Sequence, residues 1–170
     1  VGGGVCMNAG AYGGEMKQVV QEVIVLTEDG IRHIPGAECA FGYRKSAFTD
    51  GKTVILGAKL HLKKGDPAQI RDKMAELMAK RKASQPLEYP SAGSTFKRPE
   101  GYYAGTLIQE TGLKGLTVGG AQVSKKHAGF VINTGGATCA DVMALIGQVQ
   151  DRVMQRSGVH LEPEVRIIEN

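Results

Sequence analysis

The feature that most constrains the fold is an amphipathic helical repeat near the C-terminus. Its apolar residues recur at the spacing of one helix face: Val142, Leu145, Ile146, Val149 and Val153. Thr138 and Asp141 form a capping signal just before the repeat, and Gly158 is a typical stop after it. A helix with one apolar face needs another element to cover that face, so its neighbours decide the fold class.

The neighbouring segments have the character of strands. Residues 19–27 are rich in β-branched side chains, and the turn signal Glu28-Asp29-Gly30 leads into a returning strand at 31–35. Further strands are predicted at 53–62, 116–123, 129–132 and 159–168, and a short helix at 105–110. Residues 84–101 are rich in proline, serine and glycine and are predicted to form a loop. This order of strands and helices indicates an α+β fold.

A second helix is predicted to begin at the domain boundary. Asp66 supplies an N-cap, and Pro67 suits the first helical position. The residues that follow place one apolar stripe along the helix: Ile70, Met74, Leu77 and Met78. The helix is predicted to end in the basic cluster Lys80-Arg81-Lys82, and the two domains to span 1–64 and 65–170.

Composition excludes several classes of protein. With 170 residues, 42% of them hydrophobic and 22% charged, the chain is long enough and apolar enough to bury a core, which argues against disorder, collagen and coiled coil. No apolar run approaches the roughly 20 residues that span a bilayer. The net charge of +4 fits both a phosphorylated or carboxylated ligand and plain solubility. A nucleic-acid-binding domain is disfavoured, because neither a helix-turn-helix signature nor a basic stripe with stacking aromatics is present.

The cysteines and the first residues bear on context. The three cysteines, Cys6, Cys39 and Cys139, lie far apart, which indicates reduced thiols in the cytoplasm and neither a disulfide framework nor a metal site. The chain opens on a glycine-dense turn with nothing before it, so we interpret it as cut from something longer.

Four segments have compositions that the requirements of folding alone do not explain. Six glycines lie within residues 2–15, where they either form a tight turn or let the backbone approach a flat ring or a phosphate. In segment 41–48, Arg44 stands among aromatics and serves either a structural ion pair or a ligand. In segment 92–99, Ser94 follows a glycine and either caps a turn or faces a pocket. In segment 161–166, two acidic residues flank Pro163, which suits either an edge strand or a site.

These segments together resemble a known enzyme family. The phrases MNAGAYGGE, ECAFGYRKSAF, YPSAGSTFKRPEGYYAGTLIQETGLKG, VGGAQVSKKHAGFVIN and LEPEVRII, in this order, closely resemble the UDP-N-acetylenolpyruvoylglucosamine reductases (MurB). The resemblance runs from Val1 to Asn170 and covers the later part of that enzyme. It implies the end of an FAD-binding domain of the PCMH/VAO type, followed by the α+β C-terminal substrate-binding domain. The family's preceding segment, which holds the FAD pyrophosphate, is not represented.

The resemblance also implies an activity. The family reduces the enolpyruvyl group of UDP-N-acetylglucosamine enolpyruvate to give UDP-N-acetylmuramate, a precursor of cell-wall peptidoglycan, using FAD that NADPH reduces. By resemblance, Arg44 and Glu164 lie at the substrate carboxylate and Ser94 donates a proton. A guanidinium can bind a carboxylate through two hydrogen bonds, whereas Glu164 must be protonated or paired to be tolerated there.

Further ligand contacts follow from the same resemblance. The backbone of Asn8, Ala9, Gly10 and Ala11 is expected to approach the flavin ring. Lys82 is expected near the substrate's diphosphate, although a solvated helix end is an alternative for it. Tyr43 and Arg98 are secondary candidates for substrate contact.

The resemblance leaves two points open. Only a short strand separates Arg44 from the Asp66 helix, which indicates the branch of the family without an additional tyrosine-bearing loop. The alternative to a reductase is a non-catalytic substrate-binding fragment of this enzyme that cannot hold flavin by itself.

Overall fold

The computed structural model describes residues 1–168 and divides the chain into two compact units, Val1–Asp66 and Pro67–Asn170. Glu169 and Asn170, the last residues of the predicted domain 65–170, lie outside the described residues. The helices are α1 (Gly2–Cys6), α2 (Pro67–Ser84), α3 (Ala104–Glu110) and α4 (Cys139–Ser157). The strands are β1 (Gly10–Ala11), β2 (Gly14–Glu15), β3 (Val20–Thr27), β4 (Gly30–Pro35), β5 (Val54–Leu60), β6 (Ser91–Ser94), β7 (Thr117–Val118), β8 (Ala121–Val123) and β9 (Phe130–Asn133). The mixture confirms the α+β class.

The first unit is built on a three-stranded antiparallel sheet in the order β4-β3-β5. The predicted hairpin is confirmed: β3 and β4 pair from Glu22–Pro35 to Thr27–Gly30, and Gly30 has the positive φ (+111°) that the turn requires. The buried core of this unit consists of Val5, Val20, Val23, Val25, Cys39 and Phe48. The segment before the sheet contains the short helix α1 and the two-residue hairpin β1–β2.

The second unit packs α3 and α4 with an antiparallel sheet in the order β6-β9-β8-β7. The predicted C-terminal helix is confirmed as α4: the Thr138 side chain accepts a hydrogen bond from Asp141 N–H (3.1 Å), and Gly158 ends the helix at φ +70°. Its buried face is formed by Leu145, Ile146, Val149 and Val153. The predicted strands at 53–62 and 129–132 and the helix at 105–110 are confirmed by β5, β9 and α3.

Some predictions of local structure are wrong. The glycine-dense start is the helix α1 and not only a turn, and the predicted loop at 84–101 contains β6. The predicted strand at 116–123 is a hairpin, β7–β8, because Gly119 takes a positive φ (+53°) in its middle. Residues 159–168 form no regular strand, since Pro163 lacks an N–H for a ladder; its one bridge is to Phe96.

The helix α2 exists as predicted, but its apolar stripe does not form core. Ile70, Met74 and Met78 are 48%, 66% and 50% exposed, and no residue of α2 is buried. Ion pairs of Glu76 with Lys73 (2.9 Å) and Lys80 (2.5 Å) support this exposed helix. The apolar periodicity therefore predicts the helix correctly but does not predict that its apolar face is exposed.

Candidate active site

In the first unit, the hairpin β1–β2 and the turn at 42–45 form a cleft of about 270 Å³. Five residues predicted from the sequence line it: Asn8, Gly10, Ala11, Tyr43 and Arg44. Its other lining residues are Gly13, Gly14 and Glu15. Ala9, which the sequence also predicted to approach the flavin, is not among the lining residues: its N–H donates to Gly4 O (2.7 Å) and its carbonyl accepts from Met16 N–H (3.0 Å).

Asn8 connects the two walls of this cleft through its side chain. The residue is 2% exposed and has a left-handed backbone (φ +43°). Its Nδ2 donates to Gly42 O (3.1 Å) and to Glu15 Oε2 (2.7 Å), and its Oδ1 accepts from Lys17 N–H (2.9 Å). The sequence predicted only the backbone of Asn8 as functional; the structure gives its side chain a supporting role.

Arg44 stands on a tight turn. Gly42 N–H donates to Lys45 O (3.0 Å), and the intervening Arg44 adopts φ +54°, a conformation that is strained for any residue with a Cβ. Its guanidinium carbon lies 5.4 Å from the centre of the Tyr43 ring. The turn is anchored by buried Ser46, whose hydroxyl donates to Cys6 O (2.6 Å). Strained backbone positions of this kind cluster at functional sites, although Tyr12 and Ala40 in the same unit also have positive φ values.

Glu15 is a cleft residue that the sequence analysis missed. The hydrogen bond from Asn8, together with the neighbouring Lys17 (3.2 Å), lowers the pKa of the Glu15 carboxyl. The cleft therefore combines an anionic Glu15 with the cationic Arg44 on walls of glycine and alanine. The signal that could have found it is a carboxylate directly after Gly13-Gly14 in the glycine-rich segment.

In the second unit, the segments that carry Ser94 and Glu164 lie side by side. Ser94 is the last residue of β6 and pairs with Phe130. Glu164 N–H donates to Thr95 O (2.8 Å), and Lys97 N–H donates to Glu162 O (2.8 Å). Two of the three predicted catalytic residues are thus held in neighbouring segments of one unit, with Ser94 exposed and Glu164 half-buried.

An apolar cavity of about 390 Å³ adjoins these two segments. Ser91, Ala92 and Thr95 line it from the β6 side, and Val165 lines it next to Glu164. Val131 and Val142 contribute apolar surface from β9 and α4. The polar groups of Ser94 and Glu164 are therefore carried by segments that border an apolar space.

The predicted substrate contacts Lys82 and Arg98 also belong to the second unit. The Lys82 carbonyl, at the end of α2, accepts a hydrogen bond from Lys126 Nζ (2.9 Å), and Lys126 also lies 3.4 Å from Glu88. The Arg98 guanidinium stacks 4.0 Å above the Tyr103 ring and lines a separate cleft of about 470 Å³. Arg44 lies in the first unit and Ser94 and Glu164 in the second.

Comparison with known proteins gives a consistent result along the chain. Residues 85–168 match the model of the "UDP-N-acetylenolpyruvoylglucosamine reductase, C-terminal domain". A reductase of that name from Pediococcus pentosaceus is 55% identical over 99% of this chain, and one from Caldanaerobacter subterraneus is 52% identical over 99%. The chain belongs to the UDP-N-acetylenolpyruvoylglucosamine reductase family.

The similarity extends to three dimensions. The crystal structure of the MurB reductase from Thermus caldophilus matches 98% of this chain with a TM-score of 0.85 and 38% identity, and this match covers 59% of that chain. The chain likewise spans 56% of the length of each of the two reductases named above. Within residues 1–168, no helix is both long and apolar enough to cross a bilayer.

Proposed function

We propose that this chain takes part in the NADPH- and FAD-dependent reduction of UDP-N-acetylglucosamine enolpyruvate to UDP-N-acetylmuramate, a step in the synthesis of peptidoglycan precursors. The observation that carries the proposal is the identity of 51–55% with reductases of this name over 99% of the chain. The three cysteines are free thiols, which supports a cytoplasmic setting.

The residues of the first unit fit a flavin ring. Glycine and alanine leave backbone exposed along the cleft, so a flat ring can approach closely, and Asn8 holds the two walls together. We assign the end of the FAD-binding domain to residues 1–64 and the substrate-binding domain to residues 65–170, which the division into the compact units Val1–Asp66 and Pro67–Asn170 supports. When bound, FAD supplies a hydride for the terminal alkene carbon of the substrate and is reduced again by NADPH.

We assign to the side chains of this protein the stabilisation of negative charge on the substrate and the delivery of a proton to it. Addition of hydride to the terminal carbon leaves an electron pair on the neighbouring carbon and its carboxylate. Arg44 binds that carboxylate through two hydrogen bonds and stabilises the developing negative charge. The Ser94 hydroxyl then gives its proton to the neighbouring carbon, which completes the reduced side chain, and water restores the serine proton.

The other site residues hold the substrate. Glu164 is assigned to orienting the substrate carboxylate. Lys82 lies at a basic helix end and is assigned to the diphosphate, while Tyr43 and Arg98 are assigned to further substrate contacts.

The Ser94→Ala variant of the full-length gene product tests the proton-donor role. Reduction of the enolpyruvyl substrate should slow by about 10²- to 10⁴-fold, the usual contribution of a general acid, while flavin reduction by NADPH stays near normal. The matched control is Ser157→Ala, which removes a hydroxyl bonded to Val153 O at the end of α4 and should change neither step. Equal losses in both steps for Ser94→Ala remove Ser94 from proton delivery.

A second candidate function is substrate binding without catalysis, which the match of residues 85–168 to the C-terminal domain of the reductases favours. The chain of residues 1–170 alone distinguishes the two. A purified chain that shows the visible absorbance of bound flavin supports the reductase. A colourless chain that still binds UDP-N-acetylglucosamine enolpyruvate in calorimetry supports the binding fragment.

A further inference from the structure

One buried hydroxyl belongs to Thr95, the residue that follows Ser94 and whose backbone is bonded to Glu164. Thr95 is 2% exposed, and its backbone already joins three segments: its N–H donates to Gly129 O (2.9 Å) and its carbonyl accepts from Glu164 N–H (2.8 Å). In addition, the Thr95 hydroxyl oxygen accepts a hydrogen bond from Val131 N–H (3.0 Å) in β9. The hydroxyl is therefore a contact between the Ser94 segment and the centre of the sheet.

The irregularity of β6 explains why a hydroxyl is needed there. The pairing of β6 with β9 shifts in register between Ser91 and Ser94, where Gly93 takes a positive φ (+85°). A shift of this kind interrupts the regular ladder, so backbone groups of the partner strand lose their regular acceptors. The Thr95 hydroxyl supplies an acceptor for Val131 N–H, a buried donor that would otherwise be costly to leave unpaired.

We propose that Thr95 is a positioning residue for the reductase reaction. Its hydroxyl fixes the residues after the register shift against β9 and so sets where Ser94 stands relative to Glu164. Thr95 does not have to touch the substrate to do this, because Ser94 precedes it directly and Glu164 is bonded to its carbonyl. The inference rests on the proposed function, since it assumes that Ser94 delivers a proton.

Substitution of the hydroxyl alone tests the inference in the full-length gene product. Thr95→Val keeps the shape and removes the acceptor, whereas Thr95→Ser keeps the acceptor. Because displacement of a reacting group by about 1 Å can cost about 10²-fold in rate, Thr95→Val should lower kcat by about 10- to 100-fold, with KM changed less than about twofold. Its solvent deuterium isotope effect should rise, since proton delivery becomes slower, and Thr95→Ser should restore kcat to within about threefold.

A capping threonine provides the matched control. The Thr138 hydroxyl also accepts a hydrogen bond from a backbone N–H, that of Asp141, but at the start of α4. Thr138→Ala should therefore lower the melting temperature while kcat and the isotope effect stay normal. A similar fall in kcat in Thr138→Ala attributes the effect to general destabilisation and overturns the inference, as does an equal loss in Thr95→Ser and Thr95→Val.

Two further measurements keep the outcome decisive. If Thr95→Val fails to fold, Thr95→Cys is measured instead, because a thiol is a weaker hydrogen-bond acceptor than a hydroxyl. The kcat of Thr95→Cys should then lie below that of the native enzyme, and a normal kcat overturns the inference. Ser94→Ala is measured in parallel. Normal substrate reduction in Ser94→Ala refutes the proposed proton donor itself. Slow substrate reduction in Ser94→Ala, together with a kcat of Thr95→Val equal to that of the native enzyme, refutes only the positioning role.

Discussion

Removal of the Asn8 side chain should loosen the link between the hairpin β1–β2 and the turn that carries Arg44. In Asn8→Ala, the backbone groups Gly42 C=O and Lys17 N–H both lose their hydrogen bonds to the side chain. At a net contribution of about 0.5–1.5 kcal/mol for each bond, the local free energy of unfolding should fall by about 1–3 kcal/mol. This is a large change for a cleft made of two-residue strands and turns.

The left-handed backbone of Asn8 predicts a difference in stability between the alanine and glycine variants. Its φ of +43° costs alanine about 1 kcal/mol or more but costs glycine little. Asn8→Gly loses the same hydrogen bonds as Asn8→Ala and should nevertheless be about 1 kcal/mol more stable than it. Asn8→Asp tests the electrostatics, because a second carboxylate beside Glu15 should raise the pKa of Glu15, which the hydrogen bond from Asn8 lowers in the native chain.

Hydrogen exchange at the Lys17 amide measures this effect directly. A loss of about 1–3 kcal/mol corresponds to exchange about 5- to 150-fold faster in Asn8→Ala than in the native chain. The control is Asn133→Ala, which removes a side-chain oxygen that accepts from Gly135 and Ala137 in the second unit and should leave Lys17 unchanged. Native exchange at Lys17 in Asn8→Ala, or an Asn8→Gly variant less stable than Asn8→Ala, refutes the reasoning.

Substitutions at Arg44 and at His127 test two further consequences of the structure. Arg44→Gly relieves the strain of φ +54°, so the melting temperature should stay the same or rise while substrate reduction is abolished. Arg44→Lys keeps the charge but should also abolish substrate reduction, because an ammonium cannot bind a carboxylate through two coplanar hydrogen bonds. Near-normal turnover in Arg44→Lys places the arginine outside the site. Burial lowers the pKa of His127, so below about pH 6.5 the unfolded chain binds more protons than the folded one and the free energy of unfolding should fall on acidification. His127→Asn, which keeps an acceptor for Gly129 N–H but does not titrate, should lack that part of the pH dependence in urea unfolding; identical profiles for the two chains contradict it.

Local signals were sufficient for the hairpin and the C-terminal helix. The β3–β4 hairpin depends on a turn at Gly30 and on side chains close in sequence, and α4 depends on its own cap and stripe. Both were predictable because every residue that decides them lies within the element. The apolar stripe of α2 has the same periodicity but remains exposed, since periodicity gives a face and not the surface that covers it.

Long-range pairing was not predictable from the same signals. Residues 159–168 have the composition of a strand, but Pro163 limits them to one bridge, and that bridge is with Phe96, far away in sequence. The Ser91–Ser94 segment has the composition of a loop and becomes β6 only because β9 pairs with it. The candidate site residues are predictable from the resemblance of whole phrases, whereas the side-chain hydrogen bonds of Asn8 and Thr95 join residues that are far apart in sequence.

The two units use the same physical solution at their candidate reactive residues. Arg44 has a left-handed backbone, and Ser94 follows the left-handed Gly93, so neither stands on a regular ladder. In each case a buried polar side chain, Asn8 or Thr95, bonds to backbone across the irregularity. Because an irregular backbone has few hydrogen bonds of its own, one lost side-chain bond moves the reactive residue more than it moves the fold. Substitutions at Asn8 and Thr95 should therefore reduce turnover by more than their loss of unfolding free energy accounts for.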